Sequence, residues 1–215
     1  KDVDEMFKVI DSPVRREIFE RLRAKGIRVL GVGYLGQRHL TTTNKPIHKP
    51  SDLKGLKIRI PEVPVRRATF VALGASPTPM ALAELYLALQ QGVIDGQENP
   101  LPQIYSMKLY EVQKYLILTG HAQNPEMLII NENKFQSLPK AYQEVLEKGA
   151  KIYEKVSRDL VGAEEQELLE KLKAAGMIVI KPDIDAFRKA VKEVPYQFEG
   201  QWGKGLYDRV LEAQK

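Results

Sequence analysis

The chain has 215 residues, 43% of them hydrophobic and 28% charged, and no cysteine. That length suits one large domain or two small ones, the missing cysteines exclude a disulfide framework and thiolate chemistry, and no apolar run approaches the ~20 residues a membrane helix needs. The formal net charge of +5 is spread through helices of mixed sign, with no basic run carrying interleaved aromatics, which argues for a solvated surface with anion attraction as a secondary effect and against nucleic-acid binding.

In chain order, residues 4–25 read as an amphipathic helix with Phe7, Ile10, Val14, Ile18 and Leu22 near helical spacing. Pro13 breaks or restarts it, and Gly26 ends it. Residues 27–32, 40–43 and 56–60 are strands, the last two separated by a proline- and charge-rich loop over 44–54. Residues 64–73 and 81–91 form helices closed by Gly74 and Gly92. A brief strand over 93–95 precedes a helix over 101–107, and 112–118 is extended. Met127-Leu128-Ile129-Ile130 reads as a buried strand. Pro139 opens a long helical pattern that stops at Gly176; a single helix of that length would be ~50 Å long, so it bridges two domains or breaks near Gly162. A strand over 177–180 and helices over 184–191 and 196–213 close the chain. Strands alternating with helices argue for an α/β architecture.

Arg38, Arg59 and Asn99 are the right parts for holding a carboxylate. Guanidinium offers a planar fork of donors, and an amide adds a neutral donor and acceptor. Each has a plainer reading. Arg59, at the end of an apolar strand, could pair with Glu62; Arg38 could be a solvent-facing charge in the loop before 40–43; Asn99 could cap the helix that Pro100 begins. Glu62 beside an anion would repel it unless the ligand offers hydroxyls, and a salt bridge to Arg66 or Arg67 is its plainer role. His39, His48 and His121 lack metal-ligand spacing, no nucleophile–base set is suggested, and Gly31-Val32-Gly33 lacks the third glycine of a dinucleotide fingerprint. No cofactor and no catalytic residue are expected. Residues 11–22 also resemble the opening helix of a small winged-helix repressor, which would next need a recognition helix; residues 27–34 read as strand instead. An enzyme acting on organic acids is the other alternative.

Gly36-Gln37-Arg38, the run from Ser51 to Pro61, Leu73-Gly74-Ala75-Ser76-Pro77-Thr78-Pro79-Met80 and Asp95-Gly96-Gln97-Glu98-Asn99-Pro100 occur in an order that resembles the solute-binding proteins of TRAP transporters. The resemblance covers nearly the whole chain. It implies a periplasmic-binding-protein-like, two-lobed (Venus-flytrap) α/β fold, with 36–124 and 165–215 in the C-terminal lobe. Residues 1–35 and 125–164, including the long bridging helix, would form an incomplete N-terminal lobe. It implies Arg59 as the bidentate clamp, with Arg38 and Asn99 beside it, Glu62 as a candidate contact to ligand hydroxyls, and Leu82 where relatives often place an aromatic ring. The expected ligand is a sugar acid or C4-dicarboxylate, the expected partner a TRAP membrane permease, and the expected compartment the periplasm. The chain begins with Lys1, no leader is recognisable, and relatives carry a large portion ahead of this point. A trimmed chain that self-associates is therefore expected.

Overall fold

A computed structural model describes residues 3–215, with side chains at all of these except 161–163. One six-stranded sheet runs in the order β3-β2-β4-β1-β5-β6, where β1 is Ile27–Thr42, β2 Lys57–Ile60, β3 Ser76–Pro79, β4 Gly96–Pro100, β5 Tyr115–Asn131 and β6 Ile178–Ile180. Strand β2 lies parallel to β3 and β4, β5 parallel to β6, and β1 antiparallel to β4. Helices α1 (Val3–Asp11) and α2 (Pro13–Arg23) precede the sheet; α3 (Pro64–Ala72), α4 (Leu85–Gln90) and α5 (Leu101–Ser106) sit between its strands. Then come α6 (Glu132–Gln136), α7 (Lys140–Ala174), α8 (Ile184–Val191), α9 (Glu199–Trp202) and α10 (Leu206–Ala213). The alternation expected from the sequence is present.

Two compact units divide the chain. One comprises 1–36, 123–166 and 208–215; the other comprises 37–122 and 167–207. In the first, Met6, Phe7 and Tyr34 form a small core, with Phe7 and Tyr34 meeting edge to face at 6.1 Å between centroids. In the second, Leu40, Ile58, Ile60, Phe70 and Ile117 build a core on one side of the sheet, and Leu85, Ile94, Ile104, Leu116 and Leu172 build another.

Several local expectations are corrected. The amphipathic pattern over 4–25 is two helices: Ser12 Oγ accepts from the Val14 N–H at 3.2 Å, with Pro13 at the first helical position. Strand β1 continues through 33–39, so Arg38 is a strand residue and not part of a loop. Strand β5 likewise continues through 119–126. Residues 93–95 are not a strand; pairing begins at Gly96, where a Cβ would stand 2.3 Å from the Thr41 carbonyl oxygen and force β1 and β4 apart. Met127, Leu128 and Ile129 are 42%, 40% and 54% exposed, where burial was expected. Helix α7 runs unbroken for 35 residues. The pattern over 196–213 is interrupted at Gly203 and Gly205, both at positive φ. The winged-helix alternative fails because α2 leads into a 16-residue strand.

Candidate anion-binding site

The second unit carries Arg38, Arg59 and Asn99 on β1, β2 and β4, which are neighbours in the sheet. Arg59 lies opposite Gln97 in the parallel β2–β4 register, and Thr41 lies opposite Gln97 across the antiparallel β1–β4 pair. Alternation then gives Arg59, Gln97, Asn99 and Thr41 one face, with Ile58, Ile60 and Leu40 turned to the core on the other. Asp95 secures the entry to β4: its carboxylate accepts from the Lys57 N–H at 2.7 Å.

Arg38 is buried and committed to β4. Its Nε donates to Glu98 Oε2 at 2.5 Å, and its Nη2 donates to Glu98 Oε1 at 3.0 Å, the Glu98 carbonyl at 2.8 Å and Asn99 Oδ1 at 3.0 Å. Asn99 is therefore not the cap expected for α5: Pro100 holds that position without a side-chain bond, and the Asn99 amide passes its Nδ2–H to Gln97 Oε1 at 2.6 Å. The chain of donors continues in one direction, from Gln97 Nε2 to Thr41 Oγ1 (2.9 Å), from Thr41 to Gln113 Oε1 (2.8 Å), and from Gln113 Nε2 to Thr43 Oγ1 (2.6 Å). This relay fixes which way the Asn99 amide faces, because reversing it would oppose donor to donor at one end and acceptor to acceptor at the other.

Arg59 is buried too, and its Nε and Nη2 grip the Met80 carbonyl at 2.9 and 2.6 Å. It does not pair with Glu62, and among the described residues its Nη1 donates to nothing. Glu62 is exposed and makes no ion pair among the described residues. Leu82, 37% exposed, is not a core leucine.

Sequence alone gave no functional role to the residues around Glu98. Glu98 is fully buried. Besides Arg38, it meets His121 Nε2 at 2.9 Å, and Arg66 Nε stands 3.9 Å from its Oε1. Burial alone would raise the Glu98 carboxyl, but the hydrogen bond from His121 and the charges of Arg38 and Arg66 outweigh it and hold the group below the usual carboxylate range. Burial pushes His121 down, with its bond to Glu98 opposing, and Thr119 Oγ lies 2.7 Å from its Nδ1. His39 is lowered to about 3 by burial and by His121 nearby, and its Nδ1 accepts from the Gly120 N–H at 3.1 Å. Arg59 and Arg66 are lowered first by burial and then by Arg38, with Glu98 opposing; guanidinium nonetheless stays charged. Arg38 and Arg66 share the Glu98 carboxylate, and Arg59, bound to a carbonyl, has no acid of its own, so the cluster carries a surplus of positive charge. The one signal available for Glu98 was its place in β4 beside Arg38's strand. His121 and Arg66 come from distant segments and gave none.

The sequence profile of a family described as bacterial extracellular solute-binding protein, family 7, matches residues 1–201. The chain belongs to this family. A solute-binding protein of Verminephrobacter eiseniae is 39% identical over 96% of the chain and 62% of the relative. The sialic acid-binding periplasmic protein of Vibrio cholerae is 36% identical over 98% of the chain and 65% of the relative. The chain thus spans less than two thirds of the length of these curated relatives. A TRAP periplasmic solute-binding protein from Polaromonas, solved with D-erythronate bound, superposes with a TM-score of 0.91 at 37% identity, over 100% of the chain and 70% of that structure. The membership agrees with the resemblance drawn from the sequence.

Proposed function

We propose that the chain captures an organic or sugar acid by its carboxylate outside the cytoplasm and serves delivery of that acid to a TRAP-type permease. Arg59 is the principal clamp, with Arg38 and Asn99 completing the carboxylate's surroundings and Glu62 and Leu82 on the ligand's approach. The observation that carries this reading is the buried arginine cluster, whose charge exceeds that of Glu98 and whose Arg59 retains unspent donors. Buried charge of one sign is costly without a counter-ion, and an anionic ligand supplies one. Relatives that bind sialic acid and D-erythronate agree in ligand chemistry.

A thermal-unfolding screen of the 215-residue chain against organic and sugar acids tests it. A ligand that binds only the folded state raises Tm with its concentration. Carboxylates should raise Tm where the matching neutral alcohols and amides do not; equal shifts from the neutral analogues would remove the reading. The exposed Met127, Leu128 and Ile129 also support self-association of this chain, and a monomeric mass by light scattering would count against that part.

A further inference from the structure

Gln97 is the middle residue of a row that crosses the sheet. It lies opposite Thr41 in the β1–β4 pair and opposite Arg59 in the β2–β4 pair. It is fully buried. Asn99 stands two residues further along β4, on the same face. The spacing of neighbouring strands, and of residues along them, puts the Cα atoms of Arg59 and Asn99 about 8 Å apart. Two side chains close that span around one carboxylate.

One end of the Gln97 amide holds Asn99, and the other is anchored to β1. Oε1 accepts from Asn99 Nδ2 at 2.6 Å, and Nε2 donates to Thr41 Oγ1 at 2.9 Å. Groups that cannot reverse fix the polarity from both sides. The Arg38 guanidinium can only donate, and it donates to Asn99 Oδ1 at 3.0 Å. The Val112 carbonyl can only accept, and it accepts from Gln113 Nε2 at 3.1 Å. Asn99 therefore has its oxygen committed to Arg38 and one Nδ2 hydrogen committed to Gln97, while its second Nδ2 hydrogen makes no bond among the described residues. A carboxylate only accepts, so a free donor is the group it needs. We infer that Gln97 is a positioning residue of the binding site: by holding Asn99 Nδ2 it keeps the free N–H of that amide, and not its oxygen, turned to a carboxylate on Arg59. This rests on the carboxylate-binding reading above and adds to it a residue that acts without touching the acid.

Calorimetry and side-chain amide NMR test the inference, with D-erythronate, galactonate and succinate as probes. Gln97→Met removes the amide and keeps an unbranched side chain in its place. With the tightest-bound of these acids, Gln97→Met should weaken binding about 5-fold and Asn99→Ala about 10-fold, the range of a hydrogen bond to a charged group. The double variant should match Asn99→Ala within about twofold, because Gln97 acts only through Asn99. A role in packing alone would weaken both backgrounds by the same factor; that additivity overturns the inference, as does unchanged affinity in Gln97→Met. Unfolding midpoints of each variant separate lost folding from lost binding. The unmodified chain supplies a reading that needs no variant. Adding the acid should shift the unbonded Asn99 amide proton and leave the Gln97-bonded one in place. If the acid binds and shifts neither proton, Asn99 does not meet it; the inference falls and the carboxylate reading stands on Arg59. If none of the acids binds the unmodified chain, both fall.

Discussion

Arg59 is held by a carbonyl, not by an acid. Nε and Nη2 close on the Met80 oxygen, which fixes the plane of the fork without cancelling its charge. On the proposed reading, a carboxylate arriving at the remaining donors would meet a positioned cation and need not displace an internal ion pair. Truncating one partner of a desolvated charge pair costs ~2–5 kcal/mol. Arg59→Ala should therefore weaken carboxylate binding at least ~30-fold, and Arg59→Lys should fall short of full rescue because a point charge cannot keep both the Met80 contact and a bidentate one. Calorimetry with the best acid from the thermal screen measures this; unchanged affinity in Arg59→Ala would reassign the clamp.

Among the elements, β1 matters most, since it carries Arg38 and Thr41 and contributes to both compact units. Thr41 is the midpoint of the relay that orients Asn99. Thr41→Val leaves the Gln97 amide and the Gln113 carbonyl oxygen buried without their partner. The cost should be about 1–3 kcal/mol, seen as a lower urea midpoint at unchanged slope, with Thr41→Ser recovering most of it. Equal midpoints for Thr41→Val and the parent would show the relay to be energetically idle. At its other end β1 runs close to α7: a Cβ on Gly33 would stand 2.3 Å from the Tyr153 hydroxyl and 2.6 Å from its ring carbon, and one on Gly31 would stand 3.1 Å from the Ala150 carbonyl oxygen. That is the physical reason for Gly31-Val32-Gly33. Gly149 in α7 differs, as a Cβ there meets nothing within 4 Å. Gly149→Ala should stabilise by ~1 kcal/mol through helix propensity, while Gly33→Ala should destabilise by ~1–3 kcal/mol through overpacking. Thermal midpoints of opposite sign would bear out both.

For the whole molecule, the buried histidines and Glu98 contribute to the response to acid, alongside surface carboxylates such as Glu132 that are also held low. His39 titrates at about 3 when folded and at the ordinary 6.5 when unfolded, so between those values the unfolded chain holds more protons and stability falls as pH drops. His121 acts in the same direction below 6.5. Glu98, depressed from 4.5, adds stability that is present above that value and is lost as pH falls below it. The folded state should therefore weaken steadily below pH 6.5 and more steeply below 4.5. Chemical unfolding at a series of pH values checks this, and His39→Asn should flatten the upper part of the slope.

The α/β class and the family were legible because each rests on short stretches of chain: helical and strand periodicity, proline and glycine punctuation, and runs such as Lys57-Ile58-Arg59-Ile60-Pro61, which also carry the proposal for Arg38, Arg59 and Asn99. Partnership was not legible. Arg59 on Met80, Arg38 on Glu98, and Arg66 and His121 around the same carboxylate join segments far apart in sequence. Which residues meet is decided by strand register and by the packing of α3 against the sheet, and a register is a property of two strands, not of either alone. The exposure of Met127 to Ile129 was hidden for the same reason: an apolar run states a preference for burial, and only the surrounding packing determines whether burial occurs.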